Sequence, residues 1–366
     1  MGRSRNKLKR AWSYAALAAL CSLLAACGRP PADAPTESDL AAVQPVPPAA
    51  DTTATRVRAR HRLKCGVSED KPGFAQRGLG GQWRGFDVDM CRALAAAVLG
   101  DARDVIFTPL TSRTRFAALQ SGAVDVVSGA AAWTFSHDEA LGLSFAGVTY
   151  YDGQGFLTRR SGRLRTIADL AGARICLLGG AASEQAAADA FKARGQSYQP
   201  VLKDTLAEAV VAYRRGECDA VSEDVSVLTG LIPQLPRRED QTILPGFIAD
   251  EPLGLIVRED DERWADIARW TLNALILAED LSVTAQNAED LRRNSTNPAI
   301  RRLLGVDGEF GRRLGLGADW SYRAIRQEGD YGEIFQRDLS GLGLERGRNA
   351  LWDSPEPGQM YAPPMR

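Results

Sequence analysis

One plan is written twice in this chain. Arg115-Phe-Ala-Ala-Leu-Gln-Ser-Gly-Ala-Val-Asp-Val-Val-Ser128 and Ala209-Val-Val-Ala-Tyr-Arg-Arg-Gly-Glu-Cys-Asp-Ala-Val-Ser222 each read as an apolar helix ending at glycine, two further residues, then an aspartate opening an apolar strand that ends in serine. Two lobes repeating one α/β scheme are the simplest architecture that accounts for both copies.

The rest of the pattern agrees. Leu63-Lys-Cys-Gly-Val67 predicts a buried strand, and the glycines at 78–81 before Trp83-Arg84-Gly85 predict a hairpin-type turn rather than a phosphate loop, since no GxGxxG enters a helix there. Phe86, Met90, Leu94 and Val98 recur at four-residue steps, the signature of one apolar helix face closed by Gly100. Val105–Thr108 and Val124–Val127 predict strands, with a helix between them capped by Thr111 or Ser112. A second series runs through Thr166–Leu170, Arg174–Leu178, a helix to about Arg194, a strand near Val201 and the helix ending at Gly216. Tyr150–Phe156 and Leu253–Val257 read as two apolar crossings between the lobes, hence a hinge. Beyond them Trp264, Ile267, Ala268 and Leu275 mark a helix, and a largely helical remainder is expected to pack back on the first lobe. The fold class expected is therefore α/β, two lobes with largely parallel sheet and a helical C-terminal extension.

The N-terminal region carries an address. Arg3, Arg5, Lys7, Lys9 and Arg10 precede a short apolar run from Tyr14 to Ala26, the pattern of a secretory signal peptide over residues 1–26. The run is shorter than the roughly 20 residues a membrane-spanning helix needs. Leu24-Ala25-Ala26-Cys27-Gly28 matches a bacterial lipobox, so Cys27 is expected to be lipidated and to hold the protein at a membrane. Residues 27–57 are rich in Pro, Ala and Thr and bury almost nothing, which predicts a disordered tether. As a coil of about 30 residues it reaches on the order of 30 Å. The folded body then divides into a first part of lobe 1 (58–152), lobe 2 (153–252), and a return to lobe 1 with the helical extension (253–366).

Charge and chemistry exclude several classes. The formal net charge is -1 with basic and acidic residues interspersed, so no nucleic-acid footprint is present. The 2 histidines, His61 and His137, leave little material for zinc sites or acid–base relays, and no catalytic residue, metal or cofactor is assigned. Beyond Cys21 and Cys27, the even set Cys65, Cys91, Cys176 and Cys218 in an exported chain favours disulfides. Their places in the predicted lobes favour Cys65–Cys91 and Cys176–Cys218, with buried free thiols as the alternative.

Leu63-Lys-Cys-Gly-Val67, Gly85-Phe-Asp-Val-Asp-Met-Cys-Arg92, the run from Ala140 to Phe156, Arg269-Trp-Thr-Leu-Asn-Ala-Leu275, Ser295-Thr-Asn-Pro298, Gly329-Asp-Tyr-Gly-Glu-Ile-Phe335 and Tyr361-Ala-Pro-Pro364 carry a resemblance. From about Leu63 to the C-terminus the chain resembles the solute-binding proteins of polar amino-acid ABC importers, family 3, in particular the general L-amino-acid-binding subfamily. The resemblance implies a monomer in the periplasm or its equivalent, with two lobes closing over one small amino acid or amine. It also implies that the closed form docks on an inner-membrane permease.

The ligand site implied by that resemblance departs from the family's pattern. An arginine twelve residues after the strand aspartate of lobe 1 pairs bidentately with the ligand α-carboxylate in similar proteins. Here that position is His137. Where the subfamily shows Arg-Asn-Thr-Thr-Trp-Thr, this chain has Gly129-Ala-Ala-Ala-Trp-Thr134, so Ala130 and Ala132 bring no side-chain donors while Thr134 is kept. A Gly-Thr-Thr-Thr-Glu helix start becomes Gly180-Ala-Ala-Ser-Glu184, leaving the backbone at Ala182 and the hydroxyl of Ser183. Asp224 matches the carboxylate that receives the ligand amine, and Phe74 stands where an aromatic covers the ligand. Hydrogen bonds to charged groups contribute roughly 1.5–3 kcal/mol each, so these losses predict weak binding of standard L-amino acids. A ligand with an amine and no α-carboxylate fits Asp224 and Glu223 better. Two other functions share the fold: a non-transporting lipoprotein (sensor or scaffold), and a secreted cyclohexadienyl dehydratase, against which the missing arginine argues.

Overall fold

The computed structural model describes residues 52–68, 71–139 and 141–366. The expected signal peptide, Cys27 and nearly all of the tether lie outside the described residues. The end of the tether is corrected. Thr53–Arg60 forms helix α1, whose first turn is capped by the Thr52 hydroxyl accepting from the Thr55 N–H, and Ala54 and Val57 are buried. Only two apolar side chains of this helix are buried, too few to raise a periodic signal.

Lobe 1 is built from β1 (Leu63–Ser68), a short hairpin β2 (Gln76–Arg77) and β3 (Trp83–Arg84), helix α2 (Phe86–Leu99), β4 (Val105–Leu110), α3 (Arg115–Gln120), β5 (Val126–Ala132) and α4 (Phe135–Glu139). Strand β6 (Leu143–Arg159) crosses to lobe 2, which holds β7 (Arg174–Leu178), α5 (Ala182–Ala193), β8 (Gln199–Lys203), α6 (Leu206–Arg214), β9 (Ala220–Asp224), α7 (Val225–Leu231) and β10 (Gln241–Ile243). Strand β11 (Ala249–Arg258) returns. Helices α8 (Glu262–Asp280), α9 (Ala288–Asn294), α10 (Pro298–Leu303), α11 (Phe310–Leu314), α12 (Trp320–Glu328) and α13 (Tyr331–Asp338) follow.

The strands form one sheet in the order β4-β1-β5-β11-β6-β9-β7-β8, with β10 on β6. Within each lobe the pairs β1–β4, β1–β5, β7–β8 and β7–β9 are parallel, while the two crossing strands run antiparallel to each other and to β5 and β9. The repeated aspartates explain the repeat. Asp125 accepts the Lys64 N–H at 2.8 Å, and Asp219 accepts the Arg174 N–H at 2.9 Å. In both lobes one carboxylate therefore clips the returning strand to the first residues of its parallel neighbour.

Two expectations change in detail. The N-cap of α3 is Thr114, because residues 111–114 form a turn in which the Thr111 carbonyl accepts from Thr114 and Arg115. Helix α2 is buried on nearly every side rather than along one stripe, since α12 and α13 cover the face that α2 turns away from the sheet. Its buried Leu94 and Met90 each contribute roughly 1.5–3 kcal/mol of apolar transfer. The C-terminal helices join the lobe 1 core through Trp264, Trp320, Tyr331 and Phe335. Cys65 is bonded to Cys91 and Cys176 to Cys218, one bridge in each lobe.

The C-terminal segment also reaches the crossing strands. Asn349 Oδ1 accepts the Tyr151 N–H at 2.6 Å and its Nδ2 donates to the Tyr151 carbonyl at 3.1 Å. Arg348 donates to the Asp152 carbonyl at 2.6 Å and pairs with Asp250 at 2.7 Å. Among the described residues no helix is long and apolar enough to cross a membrane.

Candidate functional site

A cavity of about 350 Å³ opens between the lobes, in the size range of small-ligand sites. It lies at the carboxyl ends of the parallel strands, where β1 ends at Ser68, β5 at Ala132, β7 at Leu178 and β9 at Asp224, all four residues lining it. Strands that stop there leave free backbone and the first turns of the following segments to face a ligand. Glu251 and Leu253 of the crossing strand β11 close the back of it.

The charged groups come from both lobes. Lys71, on the loop after β1, places its ammonium 3.1 Å from the Asp224 carboxylate across the cleft, and both side chains are largely buried. Burial works against that ammonium, yet the charges of Asp224, Glu223 and Asp87 outweigh it and hold Lys71 above the ordinary lysine value. Burial, with the neighbouring charge of Asp224, lifts the Glu223 and Asp152 carboxyls well above the usual range. Glu251 is pushed up to about 8, first by burial and then by Asp224 and Glu223. Arg115, on α3, donates to the Ala130 carbonyl, while its buried Nε has no partner. Burial lowers its guanidinium to about 10 against the pull of Glu223, Asp224 and Glu251.

His137 lines the cavity half-buried. Its Nδ1 lies 2.9 Å from the Ala132 carbonyl and its ring 4.8 Å from that of Phe116. Burial lowers its pKa, so the ring is neutral at neutral pH, with the Nδ1 proton given to the carbonyl. Ser183 is buried on the first turn of α5 with its Oγ unpartnered, and it also lines the cavity, as do Ala130 and Ala132. Ala182 opens α5.

Two residues expected at the ligand are elsewhere. Phe74 is turned into the core, edge-on to Phe86 and Tyr150, and does not line the cavity. Thr134 lies between β5 and α4, its hydroxyl accepting from the His137 N–H at 3.3 Å. Trp133, just past the end of β5, stacks on Phe145 and donates to Asp138.

Gly129 has a structural reason. Its φ is +59°, and a Cβ there would collide with the buried Asp87 carboxylate. Asp87 is pushed up to about 6 by burial, offset in part by the charge of Lys71. Lys71, Arg115 and Glu251 were not singled out by sequence reasoning. Arg115 had only its position at the head of the repeated unit to mark it, and Lys71 meets Asp224 across a separation of 153 residues. Among the described residues no group of His, Cys, Asp and Glu could hold a metal ion.

Residues 63–291 match the model of the bacterial extracellular solute-binding proteins, family 3. The chain belongs to that family. It is 44% identical over 321 residues to the glutamate/glutamine/aspartate/asparagine-binding protein BztA of Rhodobacter capsulatus, covering 87% of this chain and 94% of that protein. Identity to the general L-amino acid-binding periplasmic protein AapJ of Rhizobium johnstonii is 44% over 323 residues, with the same coverage of 87% and 94%. A solved periplasmic binding protein from Brucella ovis, with glutathione bound, superposes with a TM-score of 0.83 at 44% identity, covering 86% of this chain and 100% of that one. An ancestral arginine-binding protein bound to arginine gives a TM-score of 0.53 at 25% identity, over 61% of this chain and 95% of that one. These relatives are named as binding proteins, and the family-3 chain described here shares their two-lobed α/β fold.

Proposed function

We propose that this family-3 protein is the lipid-anchored, extracytoplasmic solute-binding component of an amino-acid-type ABC importer, held at the membrane through Cys27. Residues 58–152 and 253–366 form one jaw and 153–252 the other, and they close over a small ligand of amino-acid size before docking on an inner-membrane permease. The observation that carries this reading is the cavity between the lobes, lined from both sides by charged and hydrogen-bonding groups. The relatives' names speak for the same class, and the cavity volume suits a small solute.

The occupied carboxylate of Asp224 favours one second reading, a non-transporting lipoprotein of the same fold. Calorimetry on protein purified without denaturation, with L-amino acids, 2-oxo acids and glutathione, tests the first. A ligand bound at micromolar level, with X-ray scattering showing a more compact particle, supports it; no binding across the panel favours the second. Intact mass of the membrane fraction, with Cys27→Ser as control, tests the anchor.

A further inference from the structure

The resemblance implies that Asp224 receives the ligand's amine; in this chain it already meets an ammonium. The Lys71 Nζ lies 3.1 Å from the Asp224 carboxylate, from the opposite lobe. The loop that carries it is seated against lobe 2, with Pro72 packed on Gly230 of α7. Neither contact involves a ligand. A cation is thus built into the wall where a cation from solution would otherwise go.

Glu223 Oε2 is left without a partner in this cavity, and two further unpartnered groups have a different character. Arg115 is 9% exposed with its Nε unbonded, and Ser183 is 8% exposed with its Oγ unbonded, and both line the same cavity. Ser183 sits on the first turn of the twelve-residue helix α5, whose N-cap, Ala181, offers no side-chain bond to the free amides. Unfilled helix-start amides, a hydroxyl and a guanidinium favour an anion. Glu223 and Glu251 do not cancel that preference outright. Burial raises both above the usual carboxylate range, which weakens their fixed negative charge near neutral pH and lets Glu251 offer a proton to a carbonyl or hydroxyl oxygen.

We propose that Lys71 stands in for the ligand's α-ammonium on Asp224, so that this site takes deaminated analogues of amino acids, 2-oxo or 2-hydroxy carboxylates, in preference to the amino acids themselves. The ligand carboxylate goes to Arg115, Ser183 and the start of α5. The α-oxygen faces Glu223 and Glu251. An α-amine enters only by displacing Lys71, which lowers its apparent affinity. The inference rests on the solute-binding reading above and narrows its ligand class.

The test is titration calorimetry of the mature protein with matched pairs: pyruvate and L-alanine, 2-oxoisovalerate and L-valine, 2-oxoglutarate and L-glutamate. The wild type is expected to bind at least one 2-oxo acid roughly ten- to a hundredfold more tightly than its amino-acid partner, the range set by one charge-assisted hydrogen bond. Lys71→Met is expected to reverse that order, and Lys71→Gln serves as a second replacement, with circular dichroism confirming that each folds. Adding Asp224→Asn to Lys71→Met is expected to abolish the gained amino-acid binding. Tighter binding of the amino acid by the wild type, or a preference unchanged by both replacements, overturns the assignment of Lys71 alone. Absence of binding to either class in all variants overturns the solute-binding reading together with it.

Discussion

The Cα of Gly129 lies against the Asp87 carboxylate, so closely that a Cβ would overlap it. Gly129 therefore supplies both a left-handed backbone (φ +59°) and the space that a buried acid occupies. Gly129→Ala is expected to lower stability by about 2–4 kcal/mol, from left-handed strain and the displacement of Asp87. Urea unfolding measures it, and Asp87→Ala in the same chain should recover part of the loss. Equal losses with and without Asp87 would show that the backbone alone is responsible.

Lys71 and Asp224 should behave as one unit in stability. Asp224→Ala leaves an ammonium in the cleft without its closest partner, and a loss of about 3 kcal/mol is expected. Lys71→Met with Asp224→Leu should cost less than the sum of the single changes, which a double-mutant cycle detects directly.

The pH dependence has a definite sign. Asp87 is raised to about 6 and Glu251 to about 8, both first by burial, so the folded protein holds protons there that the unfolded chain has released above about pH 4.5. Native proton binding exceeds unfolded proton binding across that window, and stability falls as pH rises through it. Thermal unfolding at pH 5 should therefore occur at a higher temperature than at pH 8. Glu251→Gln should flatten the upper part of the profile; an unchanged slope in that variant would assign the effect to other groups.

Arg113 reaches Asp204 across the cleft mouth at 2.7 Å, with the two side chains 62% and 65% exposed. Solvent screens such a pair, so Arg113→Ala should change unfolding free energy by less than about 0.5 kcal/mol. Its effect should appear in scattering at low salt, as a greater share of open particles, and fade as salt is raised.

The bridge Cys176–Cys218 spans a sequence separation of 42. Chain-entropy reasoning places the cost of replacing both cysteines by serine at about 4 kcal/mol. Reduction of the wild type should reproduce that shift in thermal unfolding, apart from the contribution of Cys65–Cys91.

Much of the scaffold was legible because its signals are local. Asp125 and Asp219 each sit a fixed step beyond a helix-ending glycine, and the structure gives both the same task on the neighbouring strand. The crossings announced themselves as the apolar stretches Tyr150–Phe156 and Leu253–Val257, although the full length of β6 and β11 and their antiparallel pairing could not be read from composition. The site was legible only in part. Asp224 and Ser183 could be placed by motif, one at the end of a recognisable strand and the other in the first turn of a helix, and His137 by its step of twelve residues from Asp125. Lys71 and Glu251 could not, since what gives each its role is a partner brought close only by folding. Phe74 turns elsewhere for a related reason: an aromatic in a loop reads the same whether it faces a ligand or Tyr150.

The grip of Asn349 on Tyr151 has a mechanical meaning. Two strands alone would make a compliant joint, because twisting them disturbs few bonds. Here an amide from the far end of the chain satisfies both backbone groups of Tyr151, and Arg348 ties the neighbouring Asp152 and Asp250. The tail acts as a splint, so the stiffness of the joint, and with it the rate at which the jaws part, is set partly by residues that touch neither the cleft nor its contents.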